Sequence, residues 1–275
     1  MSLFVASLNS GSNGNCYYVG NSDEAVLIDG GISCREIEKR IKRLGLSLRK
    51  VKGVFVTHEH GDHIHGVASL SKKHRMPVYL TAGTRSGGNM RLIDEHVHEL
   101  PSNTTVTIGA LRITGFPKRH DASEPQSFMI SSESVNVGIF TDIGIACDNV
   151  VSNFRQCHAA FLESNYDELM LEHGRYPLAL KNRIRGGMGH LSNKQARQLF
   201  ITHRPAFMTH LFLVHLSQNN NHPRIVRDTF YPIAGDTQII IASRERESKL
   251  FHIRNTSSLR RESAPARFAE QLSMF

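Results

Sequence analysis

The chain has 275 residues, 40% of them hydrophobic, and a formal net charge of +8. That length allows one large domain or two small ones with a real core, and the positive balance favours a polyanionic partner such as nucleic acid. No apolar run approaches the ~20 residues of a membrane span, the opening "MSLFVASLNSGSNGN" carries no signal-peptide pattern, and Cys16, Cys34, Cys147 and Cys157 form no CxxC pair and read as reduced thiols; a cytoplasmic protein is expected.

Taken in chain order, short apolar runs bounded by turn residues predict strands at "LFVASL", "CYYVG" and "AVLIDGG". A helix follows over "SCREIEKRIKRLG", where Ile37, Ile41 and Leu44 share a face and Gly45 ends it. "GVFVTH" predicts a strand, "HIHGVASLSKKHRM" a second helix, and "MPVYLT" and "ALRITGF" two further strands. "SVNVGIFTDIG" and "AAFLESN" are strand-like, "SNKQARQLFITHRP" is a helix with Ser192 as N-cap, and "AFMTHLFLVHLS" holds a buried strand. "TQIIIASRERESKLFHI" predicts a closing pair of strands. Beyond Arg254 the periodicity stops, and Ser, Arg, Glu, Pro and Ala alternate as in a flexible linker. Residues 1–253 are therefore expected to form one domain and 254–275 a flexible tail. Strands in two groups among helices suggest two mixed sheets flanked by helices.

The strongest chemical signal is "VFVTHEHGDHIHG". His58, His60, Asp62 and His63 fall within six residues where a strand ends. Alternate residues of an extended segment point the same way, so His58 and His60 can converge on one ion. Asp62 and His63, where the chain turns into the next helix, can aim at a second. Imidazole with carboxylate suits Zn(II), Mn(II) or Fe(II) better than Ca(II) or Mg(II).

With this motif the chain resembles the metallo-β-lactamase-fold hydrolases. The resemblance implies an α/β (α+β) αββα four-layer sandwich with two divalent metal ions between its sheets. It implies that His58, His60 and His120 of "PKRHDASEP" hold one ion, and that Asp62, His63 and His215 of "LVHLSQNN" hold the other. Asp142 of "IFTDIG" would bridge both, and Asp29 of "AVLIDGG" would support the ligands from behind.

"FLESNYDELMLEHGRYPLALKNRIRGGMGHLSNKQA", with "SGSNGNCYYV" and "HLSQNNNHP", is similar to the YycJ/WalJ-type subgroup, linked to 5′-to-3′ DNA exonuclease activity. "GHLSNKQA" also resembles the histidine motif of the tRNA 3′-processing branch. That implies that His190 protonates the leaving oxygen, with Glu163 orienting it and Asp62 a third catalytic residue. Arg175, Lys181, Arg183, Arg185 and Asn219 are candidates for contacting nucleic acid, DNA first and RNA as the alternative. Tyr166 and Tyr176 are each either a base-stacking platform or core. Ser12, Asn13 and Asn15 either hold a turn or touch a terminal phosphate, and Asn219 to Asn221 are placed at the substrate mouth.

The runner-up class is a small-molecule hydrolase of the same fold, acting on a cyclic nucleotide, a thioester or a β-lactam. A binding module without catalysis fits poorly with so complete a ligand set. The closing "QLSMF" resembles the peptide by which bacterial replication and repair proteins dock on the DNA sliding clamp. The resemblance assigns Gln271, Leu272, Met274 and Phe275 to that partner.

Overall fold

In the computed structural model, which describes residues 2–255, the apolar runs pair into two seven-stranded sheets. The first contains Leu3–Asn9 (β1), Cys16–Gly20 (β2), Ala25–Ile28 (β3), Val51–Phe55 (β4), Val78–Leu80 (β5) and Val97–Glu99 (β6). The second contains Thr105–Ile108 (β7), Leu111–Pro117 (β8), Gln126–Ser132 (β9), Val135–Phe140 (β10), Ala159–Glu163 (β11), His210–Val214 (β12) and Gln238–Ile241 (β13). Phe251–Ile253 (β14) then returns to the first sheet beside β1. The strand orders are β14-β1-β2-β3-β4-β5-β6 and β13-β12-β11-β10-β9-β8-β7.

Each sheet is antiparallel in one half and parallel in the other, from β3 to β6 and from β10 to β13. Parallel neighbours need crossovers, and helices supply them. In the first sheet these are Cys34–Arg43 (α1), Gly61–Ile64 (α2), Val67–His74 (α3) and Ala82–Gly87 (α4). In the second they are Asp148–Phe154 (α5), Glu168–His173 (α6), Leu178–Arg185 (α7), Asn193–His203 (α8) and Pro223–Phe230 (α9).

Three apolar layers result. Val5, Tyr17 and Phe55 of the first sheet meet Phe128, Ile139 and Phe161 of the second in the central core. Ile37 and Ile41 of α1 and Val67 and Leu70 of α3 cover the outer face of the first sheet. Phe154, Leu199, Phe200 and Phe230 of α5, α8 and α9 cover the outer face of the second. This is the expected αββα order. Strands buried on both faces read as continuous apolar runs, which is why these segments stand out in the sequence.

Two local expectations differ. The helix expected over residues 63–76 is split into α2 and α3. Gly66 lies at the break, where an added Cβ would stand 2.0 Å from the Ile32 carbonyl oxygen, so the loop after β3 presses on the helix start. The last two strands do not pair with each other: β13 extends the second sheet along β12, while β14 extends the first along β1. The Ser192 cap is present and reciprocal, with Gln195 closing a capping box. The QLSMF segment, and the linker expected before it from residue 256 on, lie outside the described residues.

Ligands of open α/β sheets gather beyond the carboxyl ends of parallel strands. Here the loops after β3, β4, β10, β11 and β12 carry Asp29, residues 57–63, Asp142, Ser164 and Asn165, and His215.

Candidate metal centre

After β4 the chain bends at Thr57 and Glu59 and reaches His60, which caps α2 with φ −63° and ψ 145°. The side chains of His58 and His60 converge, His58 Nε2 lying 3.1 Å from His60 Nδ1. His120, from the loop after β8, brings its Nε2 to 3.2 Å from the same His60 nitrogen. A second group forms one helical turn on, where Asp62 Oδ2 lies 3.5 Å from His63 Nε2 and 3.3 Å from His215 Nε2. Asp142 stands between the two. Its Oδ2 is 3.1 Å from His63 Nε2, and its Oδ1 is 3.4 Å from His215 Nδ1 and 3.9 Å from His120 Nε2. His58, His63, His120, Asp142 and His215 are buried; His60 and Asp62 are half-buried.

Whether this cluster suits metal ions depends on what the other ring nitrogens do. His58 Nδ1 lies 2.9 Å from Thr57 Oγ1, His63 Nδ1 2.7 Å from Asp29 Oδ2, His120 Nδ1 3.1 Å from the Gly189 carbonyl, and His215 Nδ1 2.9 Å from Glu163 Oε1. Each of these four imidazoles thus has an oxygen behind it, which in the neutral ring fixes the tautomer and leaves the opposite nitrogen's lone pair facing inward. Asp142 Oδ2 is buried and takes no hydrogen bond, close as His63 Nε2 is. A buried carboxylate oxygen without a donor is costly unless a cation faces it. The donors are all nitrogen and oxygen, which suits borderline divalent ions. The residues fit divalent metal ions.

Charge follows the same division. Burial pulls the His58 imidazole well below its ordinary range, and burial brings His120 down to about 4. Burial also opposes protonation of His63 and His215, but the carboxylates around them prevail. Asp142, Asp29 and Asp62 raise His63 well above its ordinary value, and Asp142, Asp62 and Glu163 raise His215 to about 10. Burial pushes the Asp62 and Asp142 carboxyls up, yet the neighbouring imidazoles outweigh it and hold both far below the usual carboxylate range.

Three of these residues hold left-handed backbone conformations that non-glycine residues rarely adopt: Asp29 at φ 61°, Asp142 at φ 53° and His215 at φ 57°. Such strain persists only where the surroundings fix it. For Asp29, Oδ1 accepts from the Thr57 backbone N–H at 2.8 Å and Oδ2 from Thr57 Oγ1 at 2.9 Å. For His215, the backbone N–H donates to Ser10 Oγ at 2.7 Å and the carbonyl accepts from Asn165 Nδ2 at 2.8 Å.

Glu163 ends β11, fully buried. Its Oε1 faces His190 Nδ1 at 2.8 Å as well as His215, and its Oε2 accepts the backbone N–H groups of Ile143 and Leu191 at 2.8 and 3.0 Å. After the burial that opposes it, the charge of the neighbouring His190 and the hydrogen bonds to His190 and His215 hold its carboxyl down at about 2. His190 is 21% exposed and lines the cavity of about 380 Å³ that also contains His60, Asp62, His120, Asp142 and His215.

The basic segment finds partners within the chain. Arg183 pairs with Asp121, Arg185 pairs with Glu172 at 2.9 Å, and Lys181 Nζ donates to the Glu172 carbonyl. Arg183 and Arg185 are thus ion-paired, whereas Lys181 meets only a backbone carbonyl. Arg175 is exposed, and Asn219 donates to Tyr176 Oη at 2.9 Å. Tyr166 is core at 4% exposure, whereas Tyr176 lines the cavity. Asn15 holds the turn: its side chain reaches Asp62 Oδ2 at 3.1 Å and accepts from the Gly11 N–H at 3.0 Å. Of the three late asparagines, Asn221 is buried in bonds to the Ser164 and Asn165 carbonyls. Sequence reasoning missed Thr57, Asn165 and the buried Lys118, whose Nζ donates to the Thr141 carbonyl at 2.6 Å. Only Thr57, adjoining the motif, carried any signal.

Residues 24–215 match the model of the "Beta-lactamase superfamily domain" family. The chain is 32% identical to exodeoxyribonuclease YycJ of Bacillus anthracis over 232 residues, 82% of this chain and 87% of that one. It is 30% identical to exodeoxyribonuclease WalJ of Streptococcus pneumoniae over 221 residues, 78% and 81% of the two chains. Among solved structures it is similar to the metallo-β-lactamase fold protein YhfI of Bacillus subtilis, with a TM-score of 0.69 and 15% identity over 92% of this chain and 100% of that one.

Proposed function

The chain belongs to the β-lactamase superfamily and, within it, to the group of YycJ and WalJ; from that membership we propose that it is a metal-dependent 5′-to-3′ DNA exonuclease. It hydrolyses phosphodiester bonds. His58, His60 and His120 hold one divalent ion, Asp62, His63 and His215 a second, and Asp142 serves both. Zn(II), Mn(II) and Fe(II) all suit these donors. Ions held there supply Lewis acidity, which lowers the pKa of a water and offsets the charge of the phosphodiester.

The chain's own residues do the rest. Asp29 and Thr57 fix the tautomers of His63 and His58. The observation that carries the reading is the bond between Glu163 Oε1 and His190 Nδ1, 2.8 Å long at the cavity wall. With Nδ1 committed to the carboxylate, His190 presents Nε2 to the cavity and gives its proton there to the departing 3′ oxygen. A hydrolase whose leaving group needs no proton has no use for that pair.

Gln271, Leu272, Met274 and Phe275 dock on the DNA sliding clamp, and residues 254–270 are the tether. This rests on the resemblance of "QLSMF" to clamp-binding peptides and on the DNA substrate it would bring within reach.

The test is digestion of end-labelled single- and double-stranded DNA and RNA with Mn(II), Mg(II) or Zn(II). Stepwise loss of DNA from its 5′ end is expected, abolished in Asp142→Ala and His58→Ala. Full activity in those variants would overturn the ligand assignment. Turnover of cyclic nucleotides without any attack on DNA would overturn the substrate.

A further inference from the structure

Tyr176 is a wall of two spaces at once. It lines the cavity of the candidate metal centre. It also lines a neighbouring cleft of about 590 Å³, formed with Met170, His173, Arg175, Asn219 and Asn220. The phenol is held in place, its oxygen accepting from Asn219 Nδ2 at 2.9 Å, and the ring stays half-buried. Asn220 is 1% exposed, and its amide nitrogen has no acceptor among the described residues. Arg175, exposed on the rim, makes no ion pair among the described residues, unlike Arg183 and Arg185 beside it.

We propose that this cleft is a nucleoside subsite, in which the ring of Tyr176 stacks on a base of the DNA strand next to the one whose phosphate is cut. The inference rests on the exonuclease reading and names a part of the substrate that the metal centre does not touch. A rigid aromatic plane with carboxamides at its edge matches a base, with its π-face and its hydrogen-bonding rim. The cleft volume lies in the range of sites that enclose ligands of nucleoside size. Arg175 is placed to meet the backbone as the strand leaves the cleft. A sequence-tolerant stack beside the cutting site suits an enzyme that must take each nucleotide in turn.

The test couples the ring to the base. Full-length protein loaded with Mn(II) is given 5′-labelled oligonucleotides that are intact or abasic at the first, second or third nucleotide. The wild type should lose about tenfold in kcat/KM, carried by KM, when the base at one of these positions is absent. Tyr176→Ala should cut the intact strand as poorly as the wild type cuts that abasic one, with no further loss on removing the base. Tyr176→Phe should keep the wild-type discrimination. A ring that merely props up the fold would lower both substrates together without coupling, and that result overturns the subsite, as does a wild type indifferent to every base. A wild type that cuts no oligonucleotide defeats the exonuclease reading itself, and the subsite falls with it.

Discussion

Glu163 Oε1 lies 2.8 Å from His190 Nδ1 and 2.9 Å from His215 Nδ1, so one buried carboxylate oxygen serves both the imidazole at the cavity wall and an imidazole of the candidate metal group. Its second oxygen is fixed by two backbone N–H groups, which prevents rotation away from either ring. His190→Ala should lower kcat on DNA by about 10²-fold or more, with a much smaller change in KM. The same variant should lose far less on a p-nitrophenyl phosphodiester, whose leaving group departs without a proton. Equal losses on both substrates would mean that His190 only shapes the cavity. Glu163→Gln should follow His190→Ala on DNA.

Asp29 acts at a distance from any substrate. It ties Thr57 through two hydrogen bonds and His63 through a third. Asp29→Asn should weaken metal binding by about 10- to 100-fold, as loss of a partner behind a ligand does. Competition against a chelating dye reads this directly, and excess metal should restore turnover. Unchanged affinity would separate Asp29 from the ligand set.

Proton release should distinguish the two groups. In the metal-free protein His215 titrates at about 10 and His63 well above its ordinary value, so both carry protons at neutral pH. An imidazole must be neutral to ligate. His58 and His120 are lowered and already neutral there. Asp62 and Asp142 are lowered and already ionised. Filling the group of Asp62, His63 and His215 should therefore release about two protons at pH 7, one from each histidine, and its affinity should rise with pH until the metal-free values are passed. Filling the group of His58 and His120 should release fewer. Calorimetry in buffers of different ionisation enthalpy counts the protons; identical release at both steps would contradict this division.

The sequence revealed most where the chemistry is local. His58, His60, Asp62 and His63 lie on one short stretch leaving one strand, so their spacing alone groups them: His58 and His60 by alternation, Asp62 and His63 by the turn into the next helix. His120, Asp142 and His215 are far apart in the chain, and only resemblance to a family tied them to the motif. Thr57 and Asn165 escaped because a threonine or asparagine in a turn usually serves its own backbone, and here the partners are brought in by the fold. The local partners of the basic residues were hidden for the mirror reason. Arg183 finds Asp121 across 62 positions, and no periodicity reports that pairing. The break between α2 and α3 likewise depends on the loop at Ile32 pressing on Gly66.

Close backbone approach also makes a glycine indispensable under the motif. A Cβ on Gly31 would stand 1.7 Å from the Asp62 carbonyl oxygen and 2.6 Å from the Asn15 backbone nitrogen. Those two groups are themselves joined, the Asn15 N–H donating to the Asp62 carbonyl at 2.7 Å. Gly31→Ala must push the turn at residues 60–63 away from the loop after β3. The expected cost is about 1–3 kcal/mol of stability, read as a lowered melting temperature. The second metal group should suffer more than the first, because Asp62 and His63 move with that turn while His58 stays on its strand. An alanine variant with native melting and both ions bound at wild-type affinity would show that the turn has room to yield.

Deleting residues 271–275 tests the proposed tether separately from the metal centre. The metal groups, Glu163 and His190 all lie between residues 29 and 215, so kcat/KM on free oligonucleotides should be unchanged. On DNA carrying a loaded clamp, the full chain should gain from its raised effective concentration, by about 10²-fold where the tether spans the distance. The truncated chain should show no such gain and no clamp binding in a pull-down or by anisotropy. Leu272→Ala with Phe275→Ala should reproduce the truncation, since apolar anchors carry the affinity of such peptides. Equal clamp binding by the truncated and full chains would remove the tail from the proposal, and unfolding on truncation would assign Gln271 to Phe275 to the domain instead.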